Sequence, residues 1–337
     1  MKIRNLELGL NQLFLAPMED ITDPSFRYIC KLHGADVVYT EFISSDGLIR
    51  EGEKSVRKLH IFDYERPIGI QLYGHNIASM VEATHLAVAS APEFIDLNYG
   101  CPVRKIANRG AGAGMLANIP LMMEMTEAIV KASPLPVTVK TRLGWDGQNK
   151  NIVTVAEQLQ DKGIDALTIH GRTRAQMYKG EADWTLIGEV KNNPRMHIPI
   201  IGNGDISNPV QARQAFEDYG VDGIMIGRAA VGKPWLFRHI KHYLDTGELL
   251  PEPTVAEKVA IARLQFTKSL EWKSIPVGIY EMRRHFSNYF KGLPHFREIR
   301  LRLLTSLEVE EIFRILEEIE RIYGHFRPED QGTFWDR

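Results

Sequence analysis

The chain has little cysteine, no long apolar run and no prevailing sign of charge, and each shortage excludes a class of protein. Two cysteines in 337 residues, Cys30 and Cys101, cannot build a disulfide framework, and neither belongs to a CxxC pair or a His/Cys group with metal-ligand spacing. No metal is expected. No segment approaches the ~20 apolar residues of a membrane helix. The opening Met1-Lys2-Ile3-Arg4-Asn5-Leu6-Glu7 also lacks the apolar core of a secretory signal. A cytoplasmic protein with no membrane partner is expected. Hydrophobic residues at 44% and charged residues at 25% match a soluble globular chain and exclude a disordered or fibrous one.

The length, 337 residues, exceeds one ordinary domain, while a (β/α)8 barrel alone takes about 250 residues and leaves room for a smaller module. Eight short apolar runs, each ending in polar or glycine residues, alternate with amphipathic stretches. They are Leu13–Ala16, Asp36–Thr40, Ile68–Leu72, Phe94–Asn98, Val137–Lys140, Ala166–His170, Ile198–Gly202 and Gly223–Gly227. The alternation predicts an α/β fold, a (β/α)8 TIM barrel, over residues 1–248. Helices are predicted at Ile77–Ser90, Ile119–Ala132, Asn151–Lys162 and Pro209–Tyr219, the last with Asn208 and Pro209 at its start and Gly220 at its end.

Leu250-Pro251-Glu252-Pro253 breaks the pattern, and Val255 to Tyr323 reads as amphipathic helix throughout. Residues 249–337 are therefore predicted to form an all-α helical bundle, with Lys291-Gly292-Leu293-Pro294 as one of its turns and an aperiodic tail from His325 to Arg337. The near-neutral total hides an asymmetry. Seven Lys or Arg face two Glu between Lys273 and Arg302, and six Glu face one Arg between Glu308 and Glu320. A polyanion would be offered one face, with Arg283, Arg284, Lys291, Arg297, Arg300 and Arg302 as candidate phosphate contacts. The neighbouring Tyr289 and Phe290 are expected in the core.

Within Ile95-Asp96-Leu97-Asn98-Tyr99-Gly100-Cys101-Pro102 an apolar strand ends abruptly in a polar residue, a glycine, a thiol and a proline. Glycine permits a sharp turn and proline forbids continuation of the strand, so the Cys101 thiol is expected to be displayed to a ligand, not buried. Cys30, in Phe26-Arg27-Tyr28-Ile29-Cys30-Lys31, reads as a small buried apolar residue.

Barrels of this kind keep their active sites at the C-terminal ends of the strands, which makes Pro17, Met18, Glu41, Gln71, Asn98, Cys101, Lys140, Arg142, His170, Arg172, Asn203 and Arg228 the candidate mouth residues. Gly202-Asn203-Gly204-Asp205-Ile206 and Gly227-Arg228-Ala229-Ala230 follow strands seven and eight, where such barrels bind phosphate through backbone N–H groups. Arg228 adds a fixed positive fork. A lysine at the mouth needs an anionic partner, which reduced isoalloxazine offers at its pyrimidine edge; a Schiff-base lysine is the competing use of Lys140. The amides of Gln71 and Asn203 can read the donor and acceptor edges of a flavin ring.

Leu15-Ala16-Pro17-Met18, Asn98-Tyr99-Gly100-Cys101-Pro102, Val139-Lys140-Thr141-Arg142-Leu143-Gly144, Ile169-His170-Gly171-Arg172-Thr173, Gly202-Asn203-Gly204-Asp205-Ile206 and Gly227-Arg228-Ala229 together resemble the motifs of the tRNA-dihydrouridine synthases, from about Phe14 to Leu304. The resemblance is closest to the bacterial B-type branch. It implies FMN in the barrel, NADPH or NADH as electron donor, and a uridine of tRNA as the group reduced. It also implies Cys101 as proton donor and Pro17, Met18, Gln71, Lys140, His170, Asn203, Gly204, Asp205, Gly227 and Arg228 as the flavin-binding set. Asn98, Arg142 and Arg172 would face the uracil, and a monomer is expected. The rival reading is an FMN barrel dehydrogenase acting on a free dihydropyrimidine or dihydroorotate, which would leave the basic helices without a purpose. A barrel that merely holds tRNA would need neither the thiol nor the phosphate loops.

Overall fold

The structure, a computed structural model, describes residues 1–327. Eight parallel strands form its centre: β1 (Gln12–Leu15), β2 (Val38–Tyr39), β3 (Ile68–Tyr73), β4 (Phe94–Asn98), β5 (Val137–Arg142), β6 (Ala166–His170), β7 (Ile200–Asn203) and β8 (Gly223–Ile226). Apart from the short helices Glu53–Arg57 and Arg104–Ala107, one helix follows each strand: α1 (Pro24–Leu32), α2 (Ser45–Ile49), α3 (Ile77–Ala89), α4 (Ile119–Ala132), α5 (Ile152–Asp161), α6 (Thr185–Asn192), α7 (Pro209–Tyr219) and α8 (Leu236–Thr246). The sheet runs β1-β8-β7-β6-β5-β4-β3-β2. It closes where Phe14 bridges Val37 and the Leu15 amide donates to the Val37 carbonyl at 2.9 Å. The eight strands predicted from apolar runs are all present, and α7 has the predicted bounds. Asn208 caps it through the Gln211 amide and Gly220 ends it in the left-handed region.

Two cores hold the barrel. Strand and helix faces pack into one large apolar shell, while Phe14, Val37, Tyr39, Phe94, Ala166, Ile201 and Met225 fill the cylinder itself. Space there is set by glycine: a Cβ on Gly69 would lie 2.1 Å from the Phe94 ring. Beneath, a hairpin of Lys2–Ile3 with Leu6–Glu7 places Ile3 under the barrel as a plug. The sequence did not disclose this hairpin, because two-residue strands carry no periodicity.

The C-terminal helices are α9 (Val255–Trp272), α10 (Ile275–Tyr289), α11 (Arg297–Thr305) and α12 (Val309–Tyr323). Their core includes Phe266, Phe286, Tyr289, Phe290 and Ile315, so the aromatic pair is buried as expected. Trp235, from the loop before α8, is buried in that same core, and α9 packs along α1. The bundle is thus built onto the barrel rather than strung from it. Of the aperiodic tail, Phe326 accepts the Val255 amide through its carbonyl, and the part beyond residue 327 lies outside the described residues. Among the described residues no helix is long and apolar enough to cross a membrane.

Two basic residues depart from the expected cationic face. Lys273 is buried between Asp23, the N-cap of α1, and Glu281 of α10, and pairs with both. It joins barrel to bundle and presents no charge to a ligand. Arg302 is likewise engaged by Glu311 and Glu318 of α12, which places part of the acidic stretch against the basic one.

Candidate active site

The strand ends converge on a cavity of about 730 Å³. Pro17 and Met18 come to it from the loop after β1, Gln71 from β3, Asn98 and Cys101 from β4, Lys140 and Arg142 from β5, and His170 from β6. Asn203, Gly204 and Asp205 reach it from β7, and Gly227 and Arg228 from β8. Parallel strands that all stop at one level place these residues together although up to 211 positions separate them. Arg172, Arg283, Arg284, Lys291, Arg297 and Arg300 do not line the cavity.

A buried chain of amides runs beneath its floor. Asp96 is inaccessible to solvent and accepts from Thr138 and, at 2.6 Å, from Gln71 Nε2. Gln71 Oε1 accepts from Asn98 Nδ2 at 2.9 Å, and Asn98 Oδ1 accepts the backbone amides of Gly100 and Cys101 at 3.0 and 2.9 Å. Each amide orientation is fixed by the one before it, back to a carboxylate that can only accept when ionised. Burial raises the Asp96 pKa to about 6, against the pull of Thr138 and Gln71. Gln71, expected to read a ring edge, lines the cavity and makes one hydrogen bond within the protein at each end of its amide.

Cys101 is less open than its motif predicts. The segment after it folds back, Ala113 donates to the Cys101 carbonyl at 3.0 Å, and the residue is 9% exposed. The thiol is therefore buried in the cavity wall, a correction to the expected display, while still lining the cavity. Burial raises its pKa, opposed by the Val103 amide and the charge of Arg142. A thiol so placed is protonated at neutral pH.

The two arginines expected at the substrate differ from each other. Arg142 lines the cavity, but its guanidinium donates to the carbonyls of Gly100, Thr173 and Met177. Arg172 does not line the cavity: it donates to Asp205 through two nitrogens at 2.9 and 2.6 Å and to the Lys179 and Gly180 carbonyls. A further contact joins Arg172 to His170 Nε2 at 3.3 Å, so the five donors of the guanidinium are all occupied within the protein. Arg172 thus ties the loop after β6 to the loop after β7, a departure from its expected place at the uracil.

That tie shapes the anion loops. Asp205, at φ 55, accepts from Arg172, Arg228 and the Ala182 amide, so its carboxylate orients cations in place of meeting an anion directly. Gly204 has φ 139, and a Cβ there would lie 2.5 Å from Ala182 Cβ. Arg228 stays 57% exposed at the opening. Lys140 Nζ donates to Asn203 Oδ1 at 3.2 Å, and burial with the charge of Arg142 lowers its pKa to about 8. His170 is held neutral by burial and four surrounding cations. A half-buried ammonium held by one neutral amide, beside two glycine loops and an open arginine, fits a flat ligand with a phosphate tail and an electron-rich edge.

Among the lining residues that sequence reasoning passed over are Phe42, Tyr178 and Glu19. Phe42 and Tyr73 meet edge to face at 5.5 Å beside the opening, although Phe42 alone touches the cavity. Tyr178, 49% exposed, lies over both Arg142 and Arg228 at 5.6 and 5.1 Å. An exposed aromatic in an otherwise polar loop was the available signal for it. Glu19 also lines the cavity and binds Lys58 at 2.6 Å.

A closed parallel barrel with a protonated thiol, a lysine of depressed pKa and two anion loops at its mouth defines a barrel enzyme built around a phosphate-bearing cofactor. The model of the family described as Dihydrouridine synthase matches residues 14–320, and the chain belongs to that family. It is 41% identical to tRNA-dihydrouridine synthase B of Pseudomonas putida over 87% of this chain and 86% of that one. The same enzyme of Salmonella typhimurium is 38% identical over 94% and 97%. Among solved structures, histamine dehydrogenase from Rhizobium sp. 4-9 superposes with a TM-score of 0.52 at 14% identity, over 82% of this chain and 49% of that one. Morphinone reductase does so with 0.52 at 12% identity, over 73% and 90%. These last two share the fold.

Proposed function

We infer that this protein reduces the C5=C6 bond of uridine in tRNA to 5,6-dihydrouridine, using FMN bound across the barrel mouth and NADPH as electron donor. The observation that carries the reading is the meeting of Cys101, Lys140 and the two glycine loops in one cavity of a chain of this family. Met18, Lys140, His170, Asn203, Gly204, Gly227 and Arg228 would hold the flavin, with Asp205 orienting Arg228 and Gln71 supporting the floor. When bound and reduced, the flavin supplies hydride to C6 of the uracil.

The rest of the chemistry falls to side chains. Conjugation of C5=C6 with the C4 carbonyl leaves enolate-like charge toward C5 once C6 is reduced. Cys101, kept protonated by burial, delivers the proton there from Sγ as a general acid. Arg142, in the cavity lining, would offset charge on the carbonyl oxygen. Asn98 holds the loop that aims the thiol. A uridine must leave its stack to arrive here, which costs a few kcal/mol and requires backbone contacts to offset it. The bundle at 249–337, with its cations, is read as the second part of the enzyme that provides them.

Positive charge at the mouth suits the 2′-phosphate that distinguishes NADPH from NADH. We further propose a cytoplasmic monomer. A free dihydropyrimidine as substrate would leave the bundle without use and is not favoured. The purified protein should be yellow and, with NADPH, should form dihydrouridine in tRNA from cells lacking it. A protein that takes up FMN yet reduces free uracil derivatives and not tRNA would reverse this choice.

A further inference from the structure

Fewer of the bundle's cations are free to meet a polyanion than the sequence suggests. On the bundle Lys273, Arg302, Arg300 and Arg283 are already engaged, by Asp23 and Glu281, by Glu311 and Glu318, by Ser287, and by the Thr305 carbonyl and the Tyr280 ring. Arg284, Lys291 and Arg297 remain exposed with no ion pair or side-chain hydrogen bond among the described residues. A second set of the same kind stands on the barrel. Arg104, Lys105 and Arg109 follow directly on Cys101-Pro102-Val103, are exposed, and make no ion pair or side-chain hydrogen bond there. Val103 lines the cavity, so this segment is its rim.

The bundle and the rim segment stand on opposite sides of the barrel. The bundle rests on the β8 and β1 side: a Cβ on Gly232 would lie 2.5 Å from Asn288 Cβ of α10, and His285 packs on Phe26 of α1 at 4.7 Å. The rim follows β4, four places from β8 in the sheet and therefore across the mouth. A cation without a protein partner keeps its full charge for a phosphate and releases that phosphate's counterion on contact; an engaged one must first break its pair.

Resting on the tRNA reading above, we propose that Arg104, Lys105 and Arg109 form a phosphate-binding rim, so that the loop carrying the proton donor itself grips the tRNA backbone. A strand whose uridine enters the cavity is held on the far flank by Arg284, Lys291 and Arg297. The rim places backbone contacts within a few residues of Cys101, and it confers affinity without reading sequence.

The test compares R104Q/K105Q/R109Q with wild type and with K2Q/K131Q/R195Q, which removes as many charges from the opposite end of the barrel. Flavin content and melting temperature establish folding. The slope of log Kd for tRNA against log salt should flatten by about 2 to 3 in the rim variant, with at least roughly tenfold weaker binding at low salt, and should stay at the wild-type value in the control. In the wild-type protein itself, bound tRNA should protect Lys105 and Lys291 from acylation while Lys131 stays reactive. This second readout needs no variant to fold. An unchanged slope, or an unprotected Lys105, in an enzyme that does make dihydrouridine would overturn the rim alone. A wild-type protein that neither binds nor modifies tRNA would overturn the parent reading and the rim with it.

Discussion

Asn98 Oδ1 accepts the Cys101 backbone amide at 2.9 Å, while Asn98 Nδ2 donates to Gln71. The proton donor's loop is therefore oriented from inside the barrel, through Gln71 and ultimately Asp96, and not by the loop's own sequence. Replacing Asn98 with Ala leaves two loop amides and one buried carbonyl oxygen without partners. Each such group costs about 1–3 kcal/mol when buried, so stability should fall by a few kcal/mol. Turnover with tRNA should fall at least roughly a hundredfold, the scale of a misplaced general acid. Denaturant unfolding and steady-state kinetics check both. Full activity in Asn98→Ala would show that the loop holds itself.

Arg172→Ala tests the reassignment of that residue. Removing the guanidinium leaves two carbonyls without their donor and Asp205 with only Arg228 and the Ala182 amide, and breaking a buried pair costs about 3–5 kcal/mol, less here because Asp205 is partly exposed. Loss of stability and weaker flavin retention should appear together. Unchanged stability with a raised KM for tRNA would return Arg172 to the substrate.

Much of the fold was legible because its signals are local. Eight apolar runs end in polar residues, and Asn208-Pro209 and Gly220 bracket α7. The strand-end rule then gathered Cys101, Lys140, His170 and the glycine loops without any knowledge of contacts. Partners distant in sequence were not legible. Lys273 counts as surface charge until Asp23, 250 residues away, is seen beside it. Arg172 looks free until Asp205, 33 residues on, is seen to hold it. Cys101 looks displayed until the segment after it is seen to fold back, with the Ala113 amide on the Cys101 carbonyl.

Lys140 makes flavin affinity depend on pH. Burial and the charge of Arg142 lower its pKa to about 8 in the flavin-free protein. The ammonium that would meet an anionic ligand edge is thus lost as pH rises through that value, and FMN binding to the apoprotein should weaken above about pH 8. Titration of flavin fluorescence at several pH values reads this directly. In Lys140→Met that limb should disappear; a limb that persists would belong to another group.

Lys273→Met leaves Asp23 and Glu281 facing each other at the junction of barrel and bundle. Removing the partner of a buried carboxylate should destabilise the protein by about 3–5 kcal/mol. Burial disfavours the Lys273 charge, but Asp23 and Glu281 outweigh it and its pKa is raised. Its contribution is present below the ordinary lysine pKa and is lost as pH rises through the higher folded value. Burial also works against the Asp23 carboxylate, yet Lys273 lowers its pKa, so that share is present above the ordinary carboxyl pKa and is lost as pH falls through the folded one. Denaturation across pH should show both limbs in wild type and neither in the variant. Equal stability of the two proteins at neutral pH would remove Lys273 from the junction.

The most direct test of the central claim is a single anaerobic turnover: enzyme reduced with NADPH, then mixed with unmodified tRNA while flavin reoxidation is followed. Wild type should reoxidise with a rate that is level through neutral pH and falls as pH rises through the raised thiol pKa. Cys101→Ala should bind FMN and accept electrons from NADPH as before, yet reoxidise on tRNA roughly 100- to 10,000-fold more slowly and without that alkaline limb. Reoxidation by Cys101→Ala at the wild-type rate would contradict the account.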